Sequence, residues 1–215
     1  MKGNCDLVSY VMSVVASYST GNDPASRVFT AMLEVDRKDF LPEEVKDLAY
    51  FDQPVGIGHG QTCSQPSMVA LMLEELCIEP GNRILEIGSG CGYAAAIASK
   101  LCGPKGLVYA CEILEGLVEL MKGNIGSNHE NLRIIQGDGS RGFPELAPFD
   151  RIFLSAGVAS RRFDRDLLIE QLNVPGILLY PETRGRLFKI VKRKTGITET
   201  SYGSVSFVPL VGENS

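Results

Sequence analysis

The sequence predicts an α/β fold: a doubly wound, mostly parallel seven-stranded sheet with an N-terminal helical extension and antiparallel C-terminal edge strands. Three observations predict it. Between residues 83 and 180, short apolar runs of strand length alternate with segments of helical periodicity. Such alternation requires crossover connections, which leave the strands parallel and put helices on both faces. The last two strand-like runs, 187–191 and 204–208, have no helix between them and read as an antiparallel hairpin at the sheet edge. Finally, 44% of the 215 residues are hydrophobic and 22% charged, the balance of a globular chain that buries a core without staples.

Leu7, Val8, Val11, Met12, Val15 and Tyr18 follow helical spacing. Asp6 precedes this run and Ser9, Ser13 and Ser17 interrupt it. It is too short to span a bilayer and lacks the basic start and small-residue exit of a signal peptide. Asp23-Pro24 predicts an N-cap and first turn for a second helix with Val28, Phe29, Met32 and Leu33 on one face, ending before Leu41-Pro42. Residues 50–60, rich in Gly and Pro and without periodicity, predict an irregular loop. Ser64-Gln65-Pro66 opens a helix through Met68, Leu71, Met72, Glu75 and Leu76, and Pro80-Gly81 closes the section. Residues 1–80 thus read as a helical section and loop packed on a core of residues 81–215. In that core, strands are predicted at 83–87, 107–112, 132–136, 151–154 and 177–180, with helices at 93–101, 114–122 and 167–172.

Basic residues number 21 and acidic residues 26, a net charge of −5, which argues against nucleic-acid binding driven by bulk charge. With only two histidines, His59 and His129, no metal site is expected. The six cysteines (5, 63, 77, 91, 102 and 111) form no C-x-x-C pair and sit among apolar or glycine-rich neighbours. They read as buried free thiols, implying a reducing compartment and a cytoplasmic protein with no membrane association. The apolar positions can all be used inside one domain, so a monomer is expected.

The first core strand runs into Glu86-Ile87-Gly88-Ser89-Gly90-Cys91-Gly92-Tyr93. Parallel sheets bind ligands beyond the carboxyl ends of their strands, and glycines there let the backbone turn tightly and approach a ligand. The spacing G-x-G-x-G is not the dinucleotide G-x-G-x-x-G, and no lysine follows to make a phosphate-cradling loop. Glu112 ends the second strand, where a carboxylate accepts both hydroxyls of a ribose. Asp138, in Gly137-Asp138-Gly139, ends the third, beside the expected edge of an adenine. Each acid alone reads as a strand-end helix cap. Together they describe a pocket for an adenosine without pyrophosphate, and clustered carboxylates suit the sulfonium and ammonium of S-adenosyl-L-methionine.

Gly56-Ile57-Gly58-His59-Gly60-Gln61-Thr62-Cys63-Ser64-Gln65-Pro66 resembles the signature of the protein-L-isoaspartate O-methyltransferase family, in which a glycine-rich turn leads into a Thr-x-Ser-x-Pro element. The resemblance extends to Val35-Asp36-Arg37-Lys38-Asp39-Phe40-Leu41-Pro42, to the 85–93 glycine loop, to Gly137-Asp138-Gly139, to Pro148-Phe149-Asp150 and to Phe207-Val208-Pro209-Leu210. It covers roughly residues 28 to 211. It implies a Rossmann-like methyltransferase fold and methyl transfer from S-adenosyl-L-methionine to the carboxylate of isoaspartyl residues in damaged proteins and peptides, with S-adenosyl-L-homocysteine as product. The ester then collapses to a succinimide and initiates repair. By the same resemblance Ser64 is the active-site serine, and Gln61, Thr62, Cys63 and Ser64 touch the cofactor. The glycine loop (Glu86, Gly88, Ser89, Gly90, Gly92), Glu112, Asp138 and Gly139 complete the expected cofactor site.

Ser64 also reads as a plain helix N-cap ahead of Pro66. His59 reads as a loop residue, Cys63 and Cys91 as small packed side chains, and Arg161, Arg162 and Arg165 as a solvated helix start. The chain departs from the family pattern at residues 155–162, at Pro175-Gly176 and at Pro181-Glu182-Thr183. Two alternatives stay open: a same-fold methyltransferase with another carboxylate or tRNA adenine as acceptor, and a non-catalytic adaptor that only binds S-adenosyl-L-methionine.

Overall fold

The alternating strand and helix signals form one seven-stranded sheet, seen in a computed structural model that describes residues 1–18, 26–159 and 163–213. In chain order, helices α1 (Asn4–Tyr18) and α2 (Arg27–Glu34) are followed by strands β1 (Val55–Gly58) and β2 (Gln61–Cys63) and by helix α3 (Pro66–Leu76). The core then runs β3 (Arg83–Ile87), α4 (Tyr93–Cys102), β4 (Leu107–Glu112), α5 (Glu115–Ile125), β5 (Leu132–Gln136), β6 (Phe149–Leu154), α6 (Asp166–Glu170), β7 (Leu172–Pro181), β8 (Arg184–Arg193) and β9 (Gly196–Ser206). The strand order is β5-β4-β3-β6-β7-β8-β9. From β3 the chain winds outward through β4 to β5, then returns to β6 on the other side of β3. Pairing is parallel as far as β7 and antiparallel for β8 and β9. The reversal between β3 and β6 opens a crevice beyond their carboxyl ends, the place where such sheets bind ligands.

Period-two alternation sorts each strand between two apolar layers. In β3, Leu85 and Ile87 join one cluster with Phe149, Ile152, Leu154, Leu168 and Leu178. Ile84 joins the other, with Leu7, Val11, Phe29, Met32, Leu73 and Leu76 from the N-terminal helices. Glu86 has the parity of Ile84, so its carboxylate enters this second layer with no exposed surface. Arg151 of β6 ties the layers together by donating to the carbonyls of Leu76 and Cys77 at the end of α3. Cationic donors are favourable at a helix C-terminus.

Several expectations need correction. Residues 50–60 are not irregular throughout: β1 pairs antiparallel with β2, and His59 and Gly60, at φ 52° and 72°, make the turn. The missing apolar alternation follows from the composition, since two of the four β1 residues are Gly. Asp23 and Pro24 lie outside the described residues, and α2 is capped by Ser26, whose hydroxyl accepts from Val28 N. Leu33 lies off the buried face, 49% exposed. Cys5 and Cys77 are exposed, leaving four buried thiols. The final strand is 196–206 rather than 204–208. It is set by pairing with β8, and its largely exposed side chains carry no apolar period.

The segment after β9 folds back across the crevice. Gly157 N donates to Val208 O at 2.8 Å, and Leu210 N donates to Gly157 O at 2.7 Å. A Cβ on Gly157 would lie 2.5 Å from Cα of Thr183, main chain that cannot move aside cheaply. Gly157→Ala is therefore expected to cost about 1–3 kcal/mol in urea unfolding by overpacking. An unchanged midpoint would show that residues 182–183 yield freely.

Candidate active site

Buried Arg37 organises one wall of the crevice. Its guanidinium donates to the carbonyls of Ala49 (3.1 Å), Phe51 (3.2 Å), Gln53 (2.9 Å), Cys63 (3.3 Å) and Ser64 (3.2 Å). The chain before β1 and the chain after β2 are thereby joined to one planar cation, whose fork of N–H groups suits several acceptors at once. Asp36 caps the turn that presents Arg37, accepting from Lys38 N and from Tyr50 Oη, each at 2.9 Å.

Asp52 does the capping expected of Ser64. It accepts from Ser67 N at 2.8 Å and from the Gln65 amide at 3.0 Å, while α3 starts at Pro66. A carboxylate there suits the exposed N–H groups of a helix start. Relieved of capping, Ser64 lines a cavity whose far wall is the glycine loop.

The hairpin of β1 and β2 roofs the crevice. A Cβ on Gly90 would lie 3.1 Å from Ile57 Cδ1, so the roof touches the glycine loop. His59 at the hairpin tip lies against Gly116 of α5, where a Cβ would lie 2.2 Å from Nε2. Beneath the roof is a cleft lined by Gln61, Thr62, Gly88, Gly90, Glu112, Ile113, Leu114, Gly137 and Gly139, closed from above by residues 208–211.

The three strand-end acids occupy different positions. Glu112 lines the cleft; its Oε2 accepts from Gly90 N at 2.9 Å, and its Oε1 accepts from Ile113 N at 2.9 Å and Leu114 N at 3.0 Å. The carboxylate locks the glycine loop to the β4–α5 turn and retains acceptor capacity toward the cleft. Glu86 is buried behind the loop. Burial pushes its carboxyl up to about 7, although Ser155 Oγ donates to Oε1 at 2.5 Å; the nearby Glu112 charge adds to the rise. Its Oε2 has no hydrogen-bond partner among the described residues. Asp138 is not on the cleft wall. It accepts from Ser140 N and Glu213 N, each at 2.8 Å; burial opposes these bonds, which hold its carboxyl below the usual range. Gly137 and Gly139, on either side of Asp138, line the cleft.

Of the other residues read from the sequence, Gln61, Thr62, Gly88, Gly90 and Gly139 line the cleft, and Cys63, Ser64 and Ser89 line the adjoining cavity. Gly92 does neither. At φ 87° it starts α4 and packs on Met121 and Ile125, leaving no room for a Cβ. Arg165 bonds Tyr180 and Glu199, and Arg161 and Arg162 lie outside the described residues. Arg37, Asp52, Ser155 and residues 208–211 were missed as site residues. Only the matched motifs containing Arg37 and Val208-Pro209-Leu210 signalled any of them.

The cleft fits S-adenosyl-L-methionine. Glu112 suits a diol, the glycine main chain admits close approach, and in the adjoining cavity the orphaned Glu86 Oε2 suits a cation.

Comparison with known proteins agrees. The sequence profile of the protein-L-isoaspartate(D-aspartate) O-methyltransferase family matches residues 16–215. A protein-L-isoaspartate O-methyltransferase of Archaeoglobus fulgidus is 41% identical over 192 residues, covering 88% of this chain and 87% of the relative. One from Methanocella arvoryzae is 41% identical over 187 residues, covering 85% and 97%. Among solved structures, a Plasmodium falciparum chain assigned as a beta-aspartate methyltransferase, in complex with S-adenosyl-L-homocysteine, superposes with a TM-score of 0.83. It is 27% identical, covering 98% of this chain and 99% of that one.

Arg37→Met removes the guanidinium from the five carbonyls it serves, of which Phe51 O keeps a second donor in Gln53 N. Leaving buried acceptors unpaired costs roughly 1–3 kcal/mol each, so a loss of at least about 3 kcal/mol in urea unfolding is expected. A loss below about 1 kcal/mol would mean that water or neighbouring N–H groups replace the guanidinium.

Proposed function

The chain belongs to the protein-L-isoaspartate(D-aspartate) O-methyltransferase family, and on that footing we propose that it methylates the side-generated carboxylate of L-isoaspartyl residues in damaged proteins and peptides, starting their repair through a succinimide. The observation that carries this reading is the meeting of Ser64 and the glycine loop across one cavity that adjoins the cleft lined by Glu112. S-adenosyl-L-methionine, when bound, supplies an electrophilic methyl group.

The acceptor carboxylate, with an ordinary pKa of about 4, is already ionised at neutral pH, so the chain need not supply a general base. The site fits that demand: His59 is at the hairpin tip and His129 bonds Ser99. The chain's tasks are alignment and exclusion of water. The Ser64 hydroxyl donates to one carboxylate oxygen and orients the other, without donation strong enough to blunt the nucleophile. Gln61, Thr62 and residues 208–211 close the cleft over the reacting groups. Glu112 receives the ribose hydroxyls, and Glu86, ionised, faces the cationic end of the cofactor. Cys63, Ser89 and Gly139 border the same bound molecule.

The departures at 155–158 and 181–183 serve internal structure. Ser155 bonds Glu86, Gly157 bridges to Pro209, and Val158 bridges to Glu182. Ser155 and Ala156 also line the cleft. No helix among the described residues is long and apolar enough to cross a membrane. The acidic net charge supports action on protein rather than nucleic acid, and the four buried free thiols support a reducing, cytoplasmic setting.

Labelled S-adenosyl-L-methionine offered with two peptides that differ only in normal or isoaspartyl linkage should put base-labile label on the isoaspartyl peptide alone. Label on both, or on neither, contradicts the assignment. Ser64→Ala should lower kcat/KM for that peptide about 10- to 100-fold while changing cofactor affinity less than about threefold. Equal losses would remove the positioning role.

Glu86 also predicts a pH dependence. A carboxyl held near 7 in the free protein is protonated below that pH, and a cation beside it favours the ionised form. Affinity for S-adenosyl-L-homocysteine, which keeps the ammonium, should therefore fall as pH drops below about 7, approaching tenfold per pH unit. Calorimetry should show proton release on binding near pH 6, and Glu86→Gln should flatten the profile. A flat wild-type profile from pH 5.5 to 8 would break the link.

A further inference from the structure

Behind the glycine loop lies a cavity of about 30 Å³, lined among others by Cys63, Ser64, Glu86, Ser89, Cys91 and Tyr93. It shares Thr62, Gly88, Gly90 and Ser155 with the cofactor cleft, so small solutes reach it from there. The volume admits one or two waters, and hence hydrogen peroxide, which is one oxygen larger than water.

Two thiols meet at this cavity from two functional segments. Cys63 comes from the end of β2 and Cys91 from the glycine loop; both are free, only 3% and 2% exposed, and their side chains interact directly. The other buried thiols are engaged elsewhere, Cys102 with Ser99 O and Asn131 and Cys111 with Gly137 O. Methyl transfer gives Cys91 no role and uses Cys63 only as wall.

The pair is chemically unequal. A hydrogen bond from Cys91, aided by the nearby Arg37 guanidinium, holds Cys63 at about 7 despite its burial. The same contact, with burial, pushes Cys91 up. A thiolate beside a thiol is the arrangement of an attacking and a resolving cysteine.

We propose that Cys63 and Cys91 are a peroxide-oxidised dithiol site whose disulfide shuts off methyl transfer. The Cys63 thiolate attacks one peroxide oxygen, forming an S–O bond and breaking the O–O bond; hydroxide leaves, and Cys63 becomes a sulfenic acid. The Cys91 sulfur then attacks the Cys63 sulfur. The S–S bond forms, the S–O bond breaks, and the thiol proton leaves with the hydroxyl as water. Two thiols are oxidised by two electrons and one peroxide is reduced. A disulfide of about 2.05 Å draws β2 onto the glycine loop and closes the cavity that Ser64 and Glu86 face. A dithiol reductant reverses it.

The test treats the full chain with stoichiometric hydrogen peroxide, alkylates the remaining thiols and maps peptides without reduction. A Cys63–Cys91 cross-linked peptide is expected, with methyl transfer reduced about tenfold or more, restored by dithiothreitol, and protected by saturating S-adenosyl-L-homocysteine. In Cys91→Ser the cross-link should vanish and Cys63 should be trapped as a sulfenic acid by dimedone. Consumption of exposed Cys5 and Cys77 with Cys63 and Cys91 still reduced would overturn the proposal, as would a cross-link that leaves both transfer and S-adenosyl-L-homocysteine binding unchanged. The peptide map is independent of the methyl acceptor, so an error in substrate assignment is separable from an error here.

Discussion

One buried guanidinium fixes the geometry on which the site depends. Arg37 holds five carbonyls between Ala49 and Ser64, so the segment carrying Gln61, Thr62 and Ser64 is set before any ligand arrives. Ordering a free loop costs about 1–2 kcal/mol per residue. Hydrogen bonds from a charged donor return roughly 1.5–3 kcal/mol each, which offsets part of that cost. For a reaction whose nucleophile is ionised already, preset alignment is the main thing the protein can contribute.

The strand-end acids show how one residue pattern divides its labour. Glu112 is held by three main-chain N–H groups and in turn holds the glycine loop at Gly90. Glu86, one strand inward, is shielded from water with an unsatisfied oxygen, so its charge is costly until a cation arrives. Asp138 fastens the C-terminal segment through Glu213, and that segment closes the cleft. The four residues shared by cleft and cavity couple them in space.

Most of the parallel core was legible because its cues are local. Leu85-Glu86-Ile87, Ala110-Cys111-Glu112 and Ile152-Phe153-Leu154 are apolar runs bounded by turn residues, and the winding follows from the helices between them. The glycine loop and the Thr62-x-Ser64 element were legible because motif and position agree. What escaped depends on distant partners. Nothing adjacent to Arg37 announces that its acceptors lie 12 to 27 residues away. Asp52 caps a helix that begins 14 positions later, which local capping rules do not anticipate. The β1–β2 hairpin was read as a loop because Gly56 and Gly58 erase the alternation that marks strands. β9 was misplaced because an exposed edge strand is specified by main-chain pairing with β8 rather than by burial.

The most direct test of a preset site is a crystal structure with S-adenosyl-L-homocysteine and an isoaspartyl peptide together, compared with the unliganded crystal. Residues 49–64 should follow the same path in both, with the Arg37 contacts intact and Ser64 Oγ about 2.6–3.2 Å from an oxygen of the isoaspartyl carboxylate. If the segment refolds around the ligands, leaves the guanidinium and turns Ser64 elsewhere, the site is assembled by binding rather than built in, and the account is wrong.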